Sequence, residues 1–299
     1  MIAYILLCFM ILLYTLQSLF TRKYADHYPG DSSVVSSVFT VFSGLTVVVV
    51  SLVMCRFSFV ASWETVLFGV TNGAALVLYN TAFIKSSQTG PYSILMVFSI
   101  AGGILIPTLV GVAAFGDAIT IVRVICMAVV LLSVPLVCVK DGETMRKKGF
   151  WLACALLALG NGLYGTMLDV QQRITGVEQK EEMVAITFLV AMTASAMVLL
   201  CRQKRKFFGV MKQTKVSAVY LILASLTVAA AIHLLTAMIN LMDLALLYTF
   251  DNSGVLIFSV LCSWAFFKEK LSVKNVVGCA TMCIALTVMM GWDWMITLF

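Results

Sequence analysis

The sequence predicts an all-α polytopic membrane protein with ten transmembrane helices in two inverted five-helix repeats. Three observations predict it. The chain is 62% hydrophobic and 11% charged, with a mean hydropathy of +1.04, whereas a soluble domain carries about 25% charged residues. Its apolar residues fall into ten runs, each close to the length of one bilayer crossing. Its second half repeats features of its first half.

The runs are 2–20, 33–54, 64–84, 91–115, 119–139, 150–168, 183–201, 216–237, 244–267 and 272–291. The first opens MIAYILLCFM with no basic segment before it, and no small-residue cleavage site follows. It reads as a retained span rather than a signal peptide. The connections are mostly short and carry Gly, Pro, Asp, Ser or Lys, so no soluble domain fits between spans. All five tryptophans, Trp63, Trp151, Trp264, Trp292 and Trp294, stand at run ends, where an interfacial aromatic belt belongs. The nine cysteines lie almost entirely in apolar runs and read as small buried hydrophobes. Cys279 and Cys283 share a helix face, but no histidine or second cysteine pair joins them, so no metal site is expected.

The repeat emerges when the second half is moved back by 152 residues. GILIPTLVGVAAFGDAIT (103–120) then falls on VLIFSVLCSWAFFKEKLS (255–272). Gly102 meets Gly254, Phe115 meets Phe267, Asp117 meets Glu269 and Thr120 meets Ser272. Near the start of each half the shift is about 150, and Tyr14 meets Tyr164. The halves are 1–142 and 143–299, with five spans each. An odd number of spans turns the second copy upside down, and inverted repeats characterise secondary transporters with a site at the repeat interface.

Loop charge gives an orientation. Sixteen Lys and Arg follow odd-numbered spans, among them the cluster in RQKRKFFGVMK (202–212), against four at the other loops. The positive-inside rule places the sixteen in the cytoplasm and both termini outside. The net charge of +6 is thereby a topology signal, and no nucleic-acid partner is expected.

The chemistry-bearing candidates are polar residues inside the runs. Asp251 stands in YTFDNSGVLIFSVLCSWAFF, and a carboxylate in a span is a functional candidate by default. Tyr248 and Asn252 lie within about one turn of it. Together they suit a cationic group or an exchanging proton; a structural pairing of Asp251 with His233, or a helix cap, is the alternative. His233 in span eight reads either as a proton relay or as a neutral interhelical partner. Tyr14 and Gln17 in span one, Asn161 and Tyr164 in span six, and Asn72, Tyr79 and Asn80 on one face of span three are candidate substrate contacts. Any one of them alone is more often interhelical glue. Recurrence in matching spans favours a shared cavity. Asp117 and Glu269 read as shaping local loop and helix geometry.

Two stretches resemble the drug/metabolite transporter superfamily, in its ten-span EamA-like type. The first is the close of each half, FGDAIT (115–120) and FKEKLS (267–272), an acidic turn between apolar helices. The second is SGVLIFSVLCSWAFF (253–267), similar to the third helix of the small multidrug resistance proteins. The essential acidic residue of those four-span relatives has no match here, because span one holds no acidic residue. The resemblance implies export or exchange of small metabolites, such as amino acids or drug-like compounds, by alternating access at the plasma membrane. Proton coupling would run through Asp251 or His233. It also implies cytoplasmic termini, opposite to the charge count. Other readings are a sugar or solute importer of the same fold, a non-transporting membrane scaffold, and an intramembrane enzyme. No ATP-binding loop, zinc-protease motif or nucleophile elbow is present, so the chain does not read as an enzyme. The expected partners are a small-molecule substrate and the lipid bilayer, in a monomer or homodimer with no cofactor.

Overall fold

With no water in a bilayer core to solvate peptide groups, apolar runs of this length satisfy their backbone as helices. A computed structural model of the chain contains ten. They are α1 (Ile2–His27), α2 (Ser32–Met54), α3 (Trp63–Thr89), α4 (Tyr92–Phe115), α5 (Ile121–Cys138), α6 (Phe150–Thr175), α7 (Lys180–Arg202), α8 (Phe207–Met238), α9 (Leu244–Phe267) and α10 (Val273–Thr297). The structure describes residues 2–28, 32–116, 120–138, 149–175, 179–202, 207–238, 241, 244–269 and 272–297, and no strand occurs among them. Eight helices, α1–α4 and α6–α9, are long and apolar enough to cross a membrane. The apolar stretches described in α5 and α10, Ile121–Val134 and Val273–Met289, are shorter.

Local chemistry sets the ends. Ser62 caps α3 by accepting the Thr65 backbone N–H, and its own N–H donates to Gln179 Oε1 at 2.8 Å. Helix α4 begins after Pro91, which offers no side-chain cap, and stops at Gly116 in the left-handed conformation (φ 68°). Helix α8 starts nine residues before the apolar run 216–237, because the helix continues into the basic segment ahead of it.

The described helix ends sort into two groups. Lys23 near the end of α1 lies over the rings of Tyr220 and Phe266, Gln88 near the end of α3 donates to the Ala25 carbonyl, and Arg202 at the end of α7 donates to Ser33 Oγ. Thus α1, α3, α7 and α9 finish at one end of the bundle, the α1 end. At the opposite end, Ser51 near the end of α2 meets His233 of α8, and Thr236 near the end of α8 meets Lys180 at the start of α7.

Helix α1 packs on α8 and α9; α6 packs on α3 and α4; α2 faces α7, α4 faces α9 and α5 faces α10. Small residues allow the closest crossing. A Cβ on Gly102 of α4 would stand 2.0 Å from the Ala158 carbonyl oxygen of α6, and one on Gly162 would stand 2.6 Å from the Gly102 carbonyl. Outward faces carry large exposed apolar side chains such as Phe9, Val49, Leu132 and Ile284. Trp63, Trp151, Trp264 and Trp292 are exposed near helix ends. This is the surface a lipid-embedded bundle presents.

Candidate functional site

Eight helices, α1–α4 and α6–α9, line a cavity of about 140 Å³. On the scale of a cavity of about 150 Å³ that accepts benzene, it suits a small organic molecule. Eight sequence candidates line it: Tyr14 and Gln17 from α1, Tyr79 and Asn80 from α3, Asn161 and Tyr164 from α6, Asp251 and Asn252 from α9. Aromatic and aliphatic groups complete the wall, including Phe39, Leu76, Phe188 and Ile232.

The amides are held by specific partners. Asn80 Nδ2 donates to Thr40 Oγ1 at 3.1 Å, and Asn161 Nδ2 donates to the Ser99 carbonyl at 2.8 Å. Asp251 is different. Among the described residues it is the one acidic residue in the cavity wall, and no Lys, Arg or His lines that wall. Its Oδ1 is shut off from solvent and has no hydrogen-bond partner among the described residues. The small patch beyond it works as a contact surface, since a Cβ on Gly254 would press into Ile11 of α1 at 2.7 Å.

Two candidates stand elsewhere, and one is not described. Asn72 is fully buried, two turns before Asn80, with both amide atoms unpartnered. Sharing a helix face with Asn80 does not put it at the same depth. His233 is turned away from the cavity that its neighbours Ile232 and Leu235 line. Its Nδ1 lies 2.7 Å from Glu181 Oε2, and its Nε2 lies 3.3 Å from Ser51 Oγ. Glu181 Oε1 accepts the Thr236 hydroxyl at 2.7 Å, and Lys180 Nζ donates to the Thr236 carbonyl. A pairing of His233 with Asp251 is therefore replaced by one with Glu181. The Tyr248 side chain and Asp117 lie outside the described residues.

Residues not singled out by sequence complete the site. Ser18, Ser43 and Ser99 line the cavity. Immediately below Ser18, at the α1 end, Glu269 gathers bonds from three helices. Its carboxylate accepts the backbone N–H groups of Tyr92 (2.5 Å) and Ser93 (3.2 Å), the Ser93 hydroxyl (3.0 Å), the Ser263 hydroxyl and Arg22 Nη1 (3.0 Å). It is thus the cap that Pro91 cannot supply to α4, placed where the helix dipole favours a negative charge. Arg22 lies 4.4 Å from the Phe267 ring centroid, and the Tyr92 and Ser18 hydroxyls are 2.5 Å apart. Only the acidic turn FKEKLS hinted at this role, and a cap supplied from another helix leaves no local signature.

No family model matches the chain, and no curated protein matches it. Solved structures do match. One, described only as "Crystal structure of protein", shares 13% identity and superposes with a TM-score of 0.61 over 93% of this chain and 95% of its own. At that identity the likeness concerns the fold alone.

Proposed function

We propose that the chain is a secondary active transporter that moves small metabolites by alternating access, with ten spans in two inverted repeats, 1–142 and 143–299. One observation carries the reading: a cavity lined by eight helices, walled by both halves and holding a carboxylate with one oxygen unpartnered among the described residues. A charge is costly in a membrane span and marks a solute or ion path where it faces a cavity.

The repeat draws support from the packing and from the wall. The helix pairs exchange under a step of five: α1 on α8 and α9 corresponds to α6 on α3 and α4. Lining residues pair at the sequence shifts of 150 and 152: Tyr14 with Tyr164, Leu76 with Val228, Asn80 with Ile232, Ser99 with Asp251 and Gly103 with Val255. A site shared by two inverted repeats near mid-membrane is the arrangement from which rocking of one half against the other exposes each face in turn. The EamA-like resemblance agrees with it. With one carboxylate and no cation in its wall among the described residues, the cavity favours solutes bearing an amine, such as amino acids or drug-like cations, over anions. Asp251 and Asn252 are the charged and amide contacts, and Asp251 is the proton-coupling candidate. The chain resides in the plasma membrane, with the ends of α1, α3, α7 and α9 in the cytoplasm.

Counterflow in proteoliposomes tests the function. A panel of amines, amino acids and sugars is exchanged against internal unlabelled solute. Exchange of at least one amine above empty liposomes is expected; no exchange of any compound contradicts the reading. Orientation is checked in intact cells lacking the native cysteines. Lys268→Cys resists an impermeant thiol reagent and Arg56→Cys reacts; the reverse pattern puts the termini inside.

A further inference from the structure

We propose that the Glu269 cluster is the gate at the α1 end of the cavity, and that Tyr92 links it to the cavity. The proposal rests on the transport reading but names a device that the reading does not contain. The geometry has three parts. First, the Glu269 carboxylate draws α1, α4 and α9 together through Arg22, Tyr92, Ser93 and Ser263. These three helices also carry Ser18, Ser99 and Asp251 into the cavity wall. Separating them at this end would open the cavity floor. Second, the floor is closed here. Tyr92 is fully buried, and the side chains of Arg22 and Glu269 are 12% and 10% exposed. Charge-assisted bonds of this kind are the strong ones. Third, Arg22 already has another partner, Asp26, at 3.5 Å. On opening, its charge stays paired while Glu269 meets water at the membrane surface, so the seal is reversible.

The opposite end places an arginine and a phenylalanine in the same relation. Arg173 lies 4.8 Å from the ring centroid of Phe115, the residue that matches Phe267 at a shift of 152. Arg173 pairs with Asp169 at 3.0 Å, as Arg22 pairs with Asp26. Yet the Arg173 side chain is 35% exposed and Phe115 is 38% exposed. An arginine lies against a phenylalanine at each end, and the arginine at the α1 end is the more buried of the two. The Tyr92–Ser18 bond spans from the seal to the cavity wall, so a solute at Ser18 bears directly on the gate.

Thiol accessibility tests this without any need for the transported solute. Ser43 lines the cavity, and its hydroxyl bonds only within α2 among the described contacts. Ser43→Cys is placed in a chain whose nine native cysteines are replaced. It is labelled with a small, membrane-impermeant thiosulfonate applied from the α1 end in oriented proteoliposomes. Labelling is slow with Glu269 present. Glu269→Gln removes the charge-assisted bonds, and loss of even one shifts such an equilibrium about tenfold, so labelling accelerates by at least that factor. Tyr92→Phe keeps the ring and the backbone cap and breaks the link to Ser18; it accelerates labelling a few-fold, and serves if Glu269→Gln fails to fold. Unchanged labelling in either folded variant overturns the gate. A chain that exchanges no solute but shows the acceleration defeats the transport reading alone.

Discussion

Asp251 in α9 and His233 in α8 are both ionisable side chains within apolar helices, and their surroundings are opposite. His233 has an acid on one ring nitrogen and a hydroxyl near the other, and its acid is bonded in turn to Thr236. Asp251 opens onto a cavity and leaves one oxygen without a partner. The first arrangement is closed: it ties α2, α7 and α8 together. The second is unfinished, and needs a proton or a cationic group from outside the protein to complete it. The difference separates stability from function. Breaking a satisfied buried pair strands a charge, whereas neutralising an unsatisfied one removes a cost.

The comparison is broken most severely by His233→Ala. Glu181 then loses its ring partner in a largely buried place, a loss of about 3–5 kcal/mol for a buried pair. A marked fall in the detergent melting temperature is expected, with exchange per folded molecule retained. An unchanged melting temperature would remove the structural assignment of His233. The next effect has the opposite sign. Asn72 is fully buried with both amide atoms unpartnered, and an unsatisfied buried group costs about 1–3 kcal/mol. Asn72→Leu, which keeps the branching at Cγ and removes the polar atoms, is expected to raise the melting temperature and leave exchange unchanged; lost exchange would return Asn72 to the solute path. The smallest effect on stability is that of Asp251→Asn. With no partner to lose on Oδ1, its melting temperature is expected to match or slightly exceed that of the native chain. A fall as large as that of His233→Ala would make Asp251 structural.

Much of this was legible because polar residues stand out against apolar runs. Tyr14, Asn80, Tyr164 and Asp251 are isolated in otherwise greasy helices, and the cavity gathers all four. The serines were not legible: a hydroxyl in a helix is commonly satisfied by the carbonyl one turn back, as Ser43 is by Phe39, so its type and position carry no sign of a cavity. Asn72 shows that face and depth are separate facts. His233 shows that one step along a helix, about 100°, moves a side chain from the cavity lined by Ile232 to a different helix. Its partner Glu181 was hidden because the apolar run starts at 183, whereas α7 starts at Lys180. Glu269 was visible as an acidic turn, but its partners Tyr92 and Arg22 lie 177 and 247 residues away in sequence.

The central claim is that the carboxylate of Asp251 serves the solute path and not the fold. The measurement that tests it most directly is pH-gradient-driven uptake of an exchanged amine by Asp251→Asn in proteoliposomes, with counterflow and melting temperature read on the same preparation. The account predicts a normally folded protein whose gradient-driven uptake falls to the level of empty liposomes. Counterflow survives if the carboxylate carries only the proton, and is lost with it if the carboxylate also binds the amine. Full gradient-driven uptake by well-folded Asp251→Asn would contradict the account.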